Sequence, residues 1–195
     1  MTPAGSLLAA RGLRKAYGRT PALDGADFSI HPGEVVAVLG PSGSGKSTLL
    51  HCLAGIVRPD SGTVHYDGHE LTALSDARRS ALRRGDFGFV FQFGQLVPEL
   101  TCLENVALPL RSGGQGQRVA VARAMAARPR VLFADEPTGA LDSLNGERVM
   151  GLLTDAARDT HAAVVLVTHE ARVAAYSDRE VVVRDGTARE MAGSA

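Results

Sequence analysis

One string constrains this chain more than any other: Gly40-Pro41-Ser42-Gly43-Ser44-Gly45-Lys46-Ser47. It fits the spacing G-x-x-x-x-G-K-[ST], follows the apolar, β-branched run at residues 34–39 and opens a helix that the pattern places at residues 46–54. The chemistry needs this order. Glycines let backbone N–H groups turn inward without a Cβ in the way, and the helix N-terminus adds roughly half a positive charge. Lys46 then supplies a point charge for β- and γ-phosphates, and Ser47, with Thr48 beside it, can offer a hydroxyl to Mg²⁺. Lys46 is one of only two lysines; the other 19 cations are arginines. A flexible Gly-Ser loop is the bland alternative, and the strand–loop–helix setting argues against it. The motif points to a nucleoside triphosphate without separating kinases, GTPases and ATPases.

Around the loop, strands alternate with helices. Residues 7–15 and 26–30 read as two short strands joined near Tyr17-Gly18, and residues 63–66 and 69–71 as a hairpin turning at Asp67-Gly68. Residues 75–84 and 143–158 read as helices, and residues 87–91 as a strand. Thr101 to Glu104 carries a capping-box pattern, and Ser112 caps a predicted helix running to about Ala127, which ends before Pro129. Residues 131–134 and 164–167 are short and apolar on both faces, the pattern of a parallel sheet covered by helices on two sides. Residues 181–183 and the turn Asp185-Gly186 close the chain as a terminal hairpin. With 195 residues, 45% hydrophobic and 22% charged, these elements make one α/β domain over residues 1–195.

Charge narrows the function. Lys plus Arg total 21 and Asp plus Glu total 21, so the chain lacks the global positive field of a nucleic-acid binder, and no nucleic-acid partner is expected. The longest apolar run, residues 162–167, falls far short of the ~18–20 residues that cross a bilayer. Residues 7–10 followed by Arg11, Arg14 and Lys15 do not make a secretory signal. Cys52 and Cys102 lie far apart without a CxxC spacing, which favours a reducing compartment and no disulfide framework.

Three further elements accompany the loop. An apolar strand ends in Asp135-Glu136, whose alternation sends one carboxylate toward a metal and the other toward a water; a buried structural pair is the alternative. Ser112-Gly113-Gly114-Gln115 is a second glycine-rich helix start, weak alone because such strings are common in turns. His169 follows residues 164–168 at the edge where a parallel sheet presents ligands, although a lone histidine is more often a surface or core residue. His65 and His69 lack a third ligand for a metal. Arg78, Arg79, Arg83 and Arg84 read as a solvated cationic helix face.

In this order the strings resemble the nucleotide-binding subunit of an ATP-binding-cassette (ABC) transporter over nearly the whole chain. Residues 40–47 resemble the Walker A, FVFQ ending at Gln92 the Q-loop, and residues 112–115 the tail of the signature. VLFADE (131–136) resembles the Walker B with its catalytic glutamate, GALD (139–142) the D-loop, and His169 the switch histidine. GFVFQ, LENVALPL, DEPTGALDS and VTHE are similar to the branch serving macrolide export, lipoprotein release and cell-division permeases. The resemblance implies a P-loop NTPase with a mainly parallel central sheet flanked by helices and a small N-terminal antiparallel part. It implies ATP and Mg²⁺ as ligands, with Tyr17 stacking on adenine, although Tyr17 also fits a half-buried strand end. Residues 40–48 would hold the phosphates; Ser47, Gln92 and Asp135 would surround the metal; Glu136, His169 and Gln92 would be catalytic. Ser112, Gly113, Gly114, Gln115 and Asp142 would act in trans, in a homodimer or pseudo-homodimer. The subunit would sit peripherally on the cytoplasmic face of the inner membrane and drive an integral membrane permease.

The pattern breaks in one place. The family expects an apolar residue where Arg111 stands, and only 19 residues separate Gln92 from Ser112. The family's helical subdomain, several helices at ~11 residues each, does not fit there, so residues 95–127 make at most a remnant of it. The junction Leu110-Arg111-Ser112 reads as a deletion or as residues left out of the sequence, and its intact flanks favour the second. A chain truly lacking the block would be an ATP-binding regulatory or inactive subunit.

Overall fold

The computed structural model describes residues 5–91, 121–122, 124–126 and 128–190. Two sheets organise them. Strands β1 (Leu8–Tyr17), β2 (Thr20–Ile30), β4 (Ser61–Tyr66) and β5 (His69–Glu70) form an antiparallel sheet in the order β2-β1-β4-β5. Strands β3 (Val35–Leu39), β6 (Phe87–Phe91), β7 (Val131–Asp135), β8 (Ala163–Val167), β9 (Arg179–Arg184) and β10 (Thr187–Glu190) form the second, in the order β10-β9-β3-β8-β7-β6. It is parallel except for β10, which returns antiparallel along β9. The helices are α1 (Lys46–Leu53), α2 (Asp76–Gly85), α3 (Ser143–Thr160) and the single turn α4 (Ala171–Ala174).

Period-2 alternation divides the core. Val131 and Phe133 of β7, with Ala163, Val165 and Val167 of β8, face the cluster formed with α1 and the antiparallel sheet. Leu132, Ala134, Val164 and Leu166 face the opposite cluster, which Val149, Met150 and Leu153 of α3 complete. A strand buried on both faces has no polar side to show, which is why these runs are continuously apolar.

Strand β2, with 11 residues, is longer than its sequence suggests, while β1, with 10, is close to the span expected at residues 7–15. Register shifts between Ala10 and Leu13, and again before Arg14 and Ala16, break the strict alternation that the expectation of short strands relied on. Arg11 pairs with Asp27 and Arg14 with Asp24 across the ribbon, so its polar residues are cross-strand partners rather than strand ends. The α4 turn was not expected, since four residues carry no helical period. Among the described residues no helix is long and apolar enough to cross a membrane. The capping box at Thr101 to Glu104 and the junction at Leu110-Arg111-Ser112 lie outside the described residues. Of the helix expected from Ser112 to Ala127, residues 121–122 and 124–126 are described, and they are helical.

Candidate functional site

The loop after β3 is squeezed between two other parts of the chain. Gly40, at φ 151°, passes so close to β9 that a Cβ there would lie 2.2 Å from the Val183 carbonyl oxygen. At Gly45, φ 105°, a Cβ would lie 2.2 Å from the carbonyl oxygen of Ala22 in β2. Only glycine fits either position. Gly45 is also the N-cap of α1 and offers no side-chain cap, so the first amides of that helix are left to a ligand. Lys46 is buried, and its Nζ donates to the carbonyls of Gly40 at 2.9 Å and Pro41 at 3.0 Å. An ammonium has three donors, so one remains for a phosphate. The buried Ser44 hydroxyl finds no partner among the described residues, an orphan of the kind an anionic ligand would satisfy.

Strand β7 delivers the two carboxylates in different directions. Asp135 Oδ1 accepts from Ser47 Oγ at 3.3 Å. Burial raises the Asp135 carboxyl above its ordinary pKa, opposed by the Ser47 hydrogen bond and by His51 and Lys46, while neighbouring Glu136 adds to the rise. Glu136 leaves the strand at φ 47°, a conformation costly for a residue with a Cβ, held by its N–H on the Val167 carbonyl at 2.9 Å. Its Oε1 lies 2.8 Å from His169 Nδ1. Thr168 Oγ1 donates to its other oxygen at 3.4 Å.

Tyr17, Pro41, Ser42, Gly43, Gly45, Lys46, Ser47, Thr48, Glu136 and His169 line one cleft of about 650 Å³. Gly40 and Ser44 shape the loop from behind, and Asp135 reaches the cleft through Ser47. Tyr17 is 54% exposed at the cleft rim, with Lys15 Nζ 5.8 Å from its ring centre, a geometry that leaves a face free for a flat base. Asp142 is not a lining residue: it caps α3, accepting from the Asn145 amide at 3.0 Å and from Asn145 Nδ2 at 2.7 Å. Gln92, Ser112, Gly113, Gly114 and Gln115 lie outside the described residues. Ala22 lines the cleft without having been expected, because only tertiary contact brings β2 to the loop. His51 lies one turn beyond Ser47 on α1 and is not a lining residue; its influence on the site is electrostatic, through Asp135. No cluster able to hold a metal occurs among the described histidines, cysteines and acids; His69 Nδ1 instead contacts the Asp67 carbonyl at 2.9 Å.

This arrangement suits a nucleotide with a hard cation. Main-chain amides and Lys46 are donors suited to anionic oxygens, and the Ser47 hydroxyl and Asp135 carboxylate are the oxygen donors Mg²⁺ prefers. Comparison with known proteins agrees on the nucleotide. The ABC transporter family profile matches in two pieces, residues 23–111 and 110–139. The lipoprotein-releasing system ATP-binding protein LolD 2 of Caulobacter vibrioides is 41% identical over 217 aligned positions, covering 92% of this chain and 95% of its own. Its counterpart LolD of Cytophaga hutchinsonii is 41% identical over 213, covering 92% and 97%. Since 92% of 195 residues is about 179, about 38 of the 217 positions have no residue in this chain. Among solved structures, a dimeric ATP-binding cassette in a post-hydrolysis state with ADP and Pi superposes with a TM-score of 0.84 at 32% identity, covering 96% of this chain and all of the other.

Proposed function

The chain belongs to the ABC transporter family as one of its ATP-binding subunits, and on that footing we propose that it hydrolyses ATP to drive a separate integral membrane permease in a lipoprotein-releasing system. The observation that carries this reading is convergence: loop residues from Pro41 to Thr48, with Glu136 and His169, line one cleft although they are far apart in sequence. Two copies would close around two ATP molecules on the cytoplasmic face of the inner membrane. The dimeric cassette with ADP and Pi supports that arrangement.

Phosphoryl transfer to water asks for positioning and charge neutralisation rather than covalent chemistry. The loop amides and the free Lys46 donor hold the phosphates. Ser47 and Asp135, with Gln92, would hold Mg²⁺, which would neutralise phosphate charge. Glu136 orients the attacking water and accepts its proton, and His169, anchored through Nδ1 on Glu136, keeps Nε2 for the γ-phosphate. Tyr17 stacks on the base. Ser112, Gly113, Gly114, Gln115 and Asp142 serve the partner copy's nucleotide. Lys46→Ala should weaken ATP binding at least about tenfold in a titration calorimeter, the loss of one charge-assisted contact. Unchanged affinity would remove the loop from the site.

A second reading has its own support. The two pieces of the family match meet at residues 110–111, and about 38 aligned positions have no residue here. A chain lacking the helical block would bind ATP at the same cleft without completing a dimer site, as a regulatory or inactive subunit. Turnover measured together with the permease separates the two readings, and an intact mass well above 20.4 kDa would restore the block.

A further inference from the structure

Beyond the cleft, a polar bridge joins the two segments that carry its catalytic side chains. The segment after β7 runs from Glu136 through Asp142 into α3; the segment after β8 runs from Thr168 through His169 into α4. Arg172, about half exposed, spans them. Its Nε donates to Glu170 Oε2 at 2.6 Å and its Nη1 to Ser143 Oγ, the first residue of α3, at 2.5 Å. Glu170 Oε1 in turn accepts from the buried Thr138 hydroxyl at 3.3 Å, and the Glu170 amide donates to Thr168 Oγ1 at 3.1 Å. The first segment is internally tied, Gly139 N to Glu136 O at 3.1 Å and Leu141 N to Thr138 O at 2.9 Å. Without Arg172, the side-chain hydrogen bonds between the segments, among the described residues, reduce to the longer Thr138–Glu170 and Thr168–Glu136 bonds and the Glu136–His169 pair itself, beside the apolar packing of Val173 and Tyr176 in one cluster with Leu141 and Met150.

We propose that Arg172 is a positioning residue: its guanidinium, held between Glu170 and Ser143, fixes the spacing of Glu136 and His169 and ties both to the start of α3. This rests on the catalytic reading of Glu136 and His169. A planar fork with donors pointing two ways can serve a carboxylate and a hydroxyl at once, whereas an ammonium on a flexible stem holds neither at a set angle. Misplacement of reacting groups by about 1 Å can cost about 10²-fold in rate, so partial loosening should cost about tenfold.

The test compares Arg172→Ala, Arg172→Lys and Ser143→Ala with the unmodified protein, by steady-state ATP hydrolysis and by amide hydrogen exchange. Arg172→Ala should lower kcat about tenfold with the KM for ATP unchanged within about twofold. Its melting temperature should hold, because Arg172 is a surface residue. Arg172→Lys should not restore kcat. Ser143→Ala should cost less, and the double variant should match Arg172→Ala alone. Exchange should quicken in residues 138–143 and in residues 168–172 together. A wild-type kcat in Arg172→Ala, full rescue by lysine, or faster exchange in one segment only would overturn the proposal. If the unmodified protein binds ATP but never turns it over, the hydrolytic reading fails by itself, and the exchange data still decide whether the clamp exists.

Discussion

The two edges of the parallel sheet are built on opposite terms. At the edge where β6, β7 and β3 begin, polar groups are paired. Arg130 grips Asp67 with two N–H groups, at 2.7 and 3.2 Å, while its guanidinium lies 5.6 Å from the Tyr66 ring centre. The Tyr66 hydroxyl donates to Asp86 at 2.9 Å, and Tyr66, Phe87 and Phe133 meet edge to face. Glu34 accepts from Arg179 and from the His31 amide, each at 2.8 Å. At the edge where the strands end, Ser44 is orphaned, Glu136 is strained and Asp135 sits in a site that disfavours its charge. The groups named at the first edge are satisfied by the chain alone, with Arg79 Nε on α2 the buried exception nearby; the other edge is left to be completed by a ligand. Ligands of open α/β sheets bind outside the carboxyl ends of the strands for this reason.

The sharpest way to break the comparison is Glu136→Gln. It should reduce phosphate release by about 10²–10⁴-fold, the range for losing a general base, while ATP is retained and a dimer accumulates on a sizing column. Undiminished turnover would remove the terminal edge from catalysis. Tyr66→Phe tests the opposite edge. It leaves the Asp86 acceptor without its donor and should lower unfolding free energy in urea by about 1–3 kcal/mol while hydrolysis per folded molecule stays the same.

The carboxylates of the two edges should respond to pH with opposite sign. Burial works to raise the Glu34 carboxyl, but the hydrogen bonds from Arg179 and His31 outweigh it and hold it below its ordinary value. Its contribution is therefore present above about pH 4.3 and is lost as pH falls through the lowered folded value. Asp135 is raised, so the native state binds the proton more tightly; that contribution is full below about pH 4 and is lost as pH rises through the raised value. Glu34→Gln should thus destabilise at pH 7 by about 1–3 kcal/mol, with the gap closing on acidification. Asp135→Asn should stabilise slightly at pH 7, again with the gap closing in acid. Melting curves of both variants across pH would show it, and shifts of the same sign would dissolve the contrast. Ser44→Ala should have the smallest effect: stability within about 0.5 kcal/mol of the parent, with ATP affinity lowered about two- to tenfold, the worth of one hydrogen bond.

Much of the fold was legible because its signals are local. The run at residues 34–39, the loop and α1 are contiguous, and strands apolar on both faces announce a covered parallel sheet. The hairpin at Asp67-Gly68 was legible from turn chemistry, and both residues take positive φ, at 49° and 78°. The length of β2 was not, because bulges in the β1–β2 ribbon break the period that sequence reading relies on. Nor was α4, or the entry of Ala22 into the cleft. The divergence of Asp135 and Glu136 was expected from alternation, and the family resemblance grouped Asp135 with Ser47; the direct contact of Glu136 with His169 was not foreseen.

Contiguity sets the chemistry of the loop, since strand, glycines, lysine and serine follow one another and need only local geometry to present their donors to a triphosphate. Long-range packing decided that β7 lies beside β8, which sets Glu136 2.8 Å from His169. It likewise decided that Val183 and Ala22 press on the glycines and that Arg172 meets Ser143. Those contacts depend on the order of strands in the sheet, and strand order is chosen by long-range packing and crossover handedness rather than by any neighbouring residue.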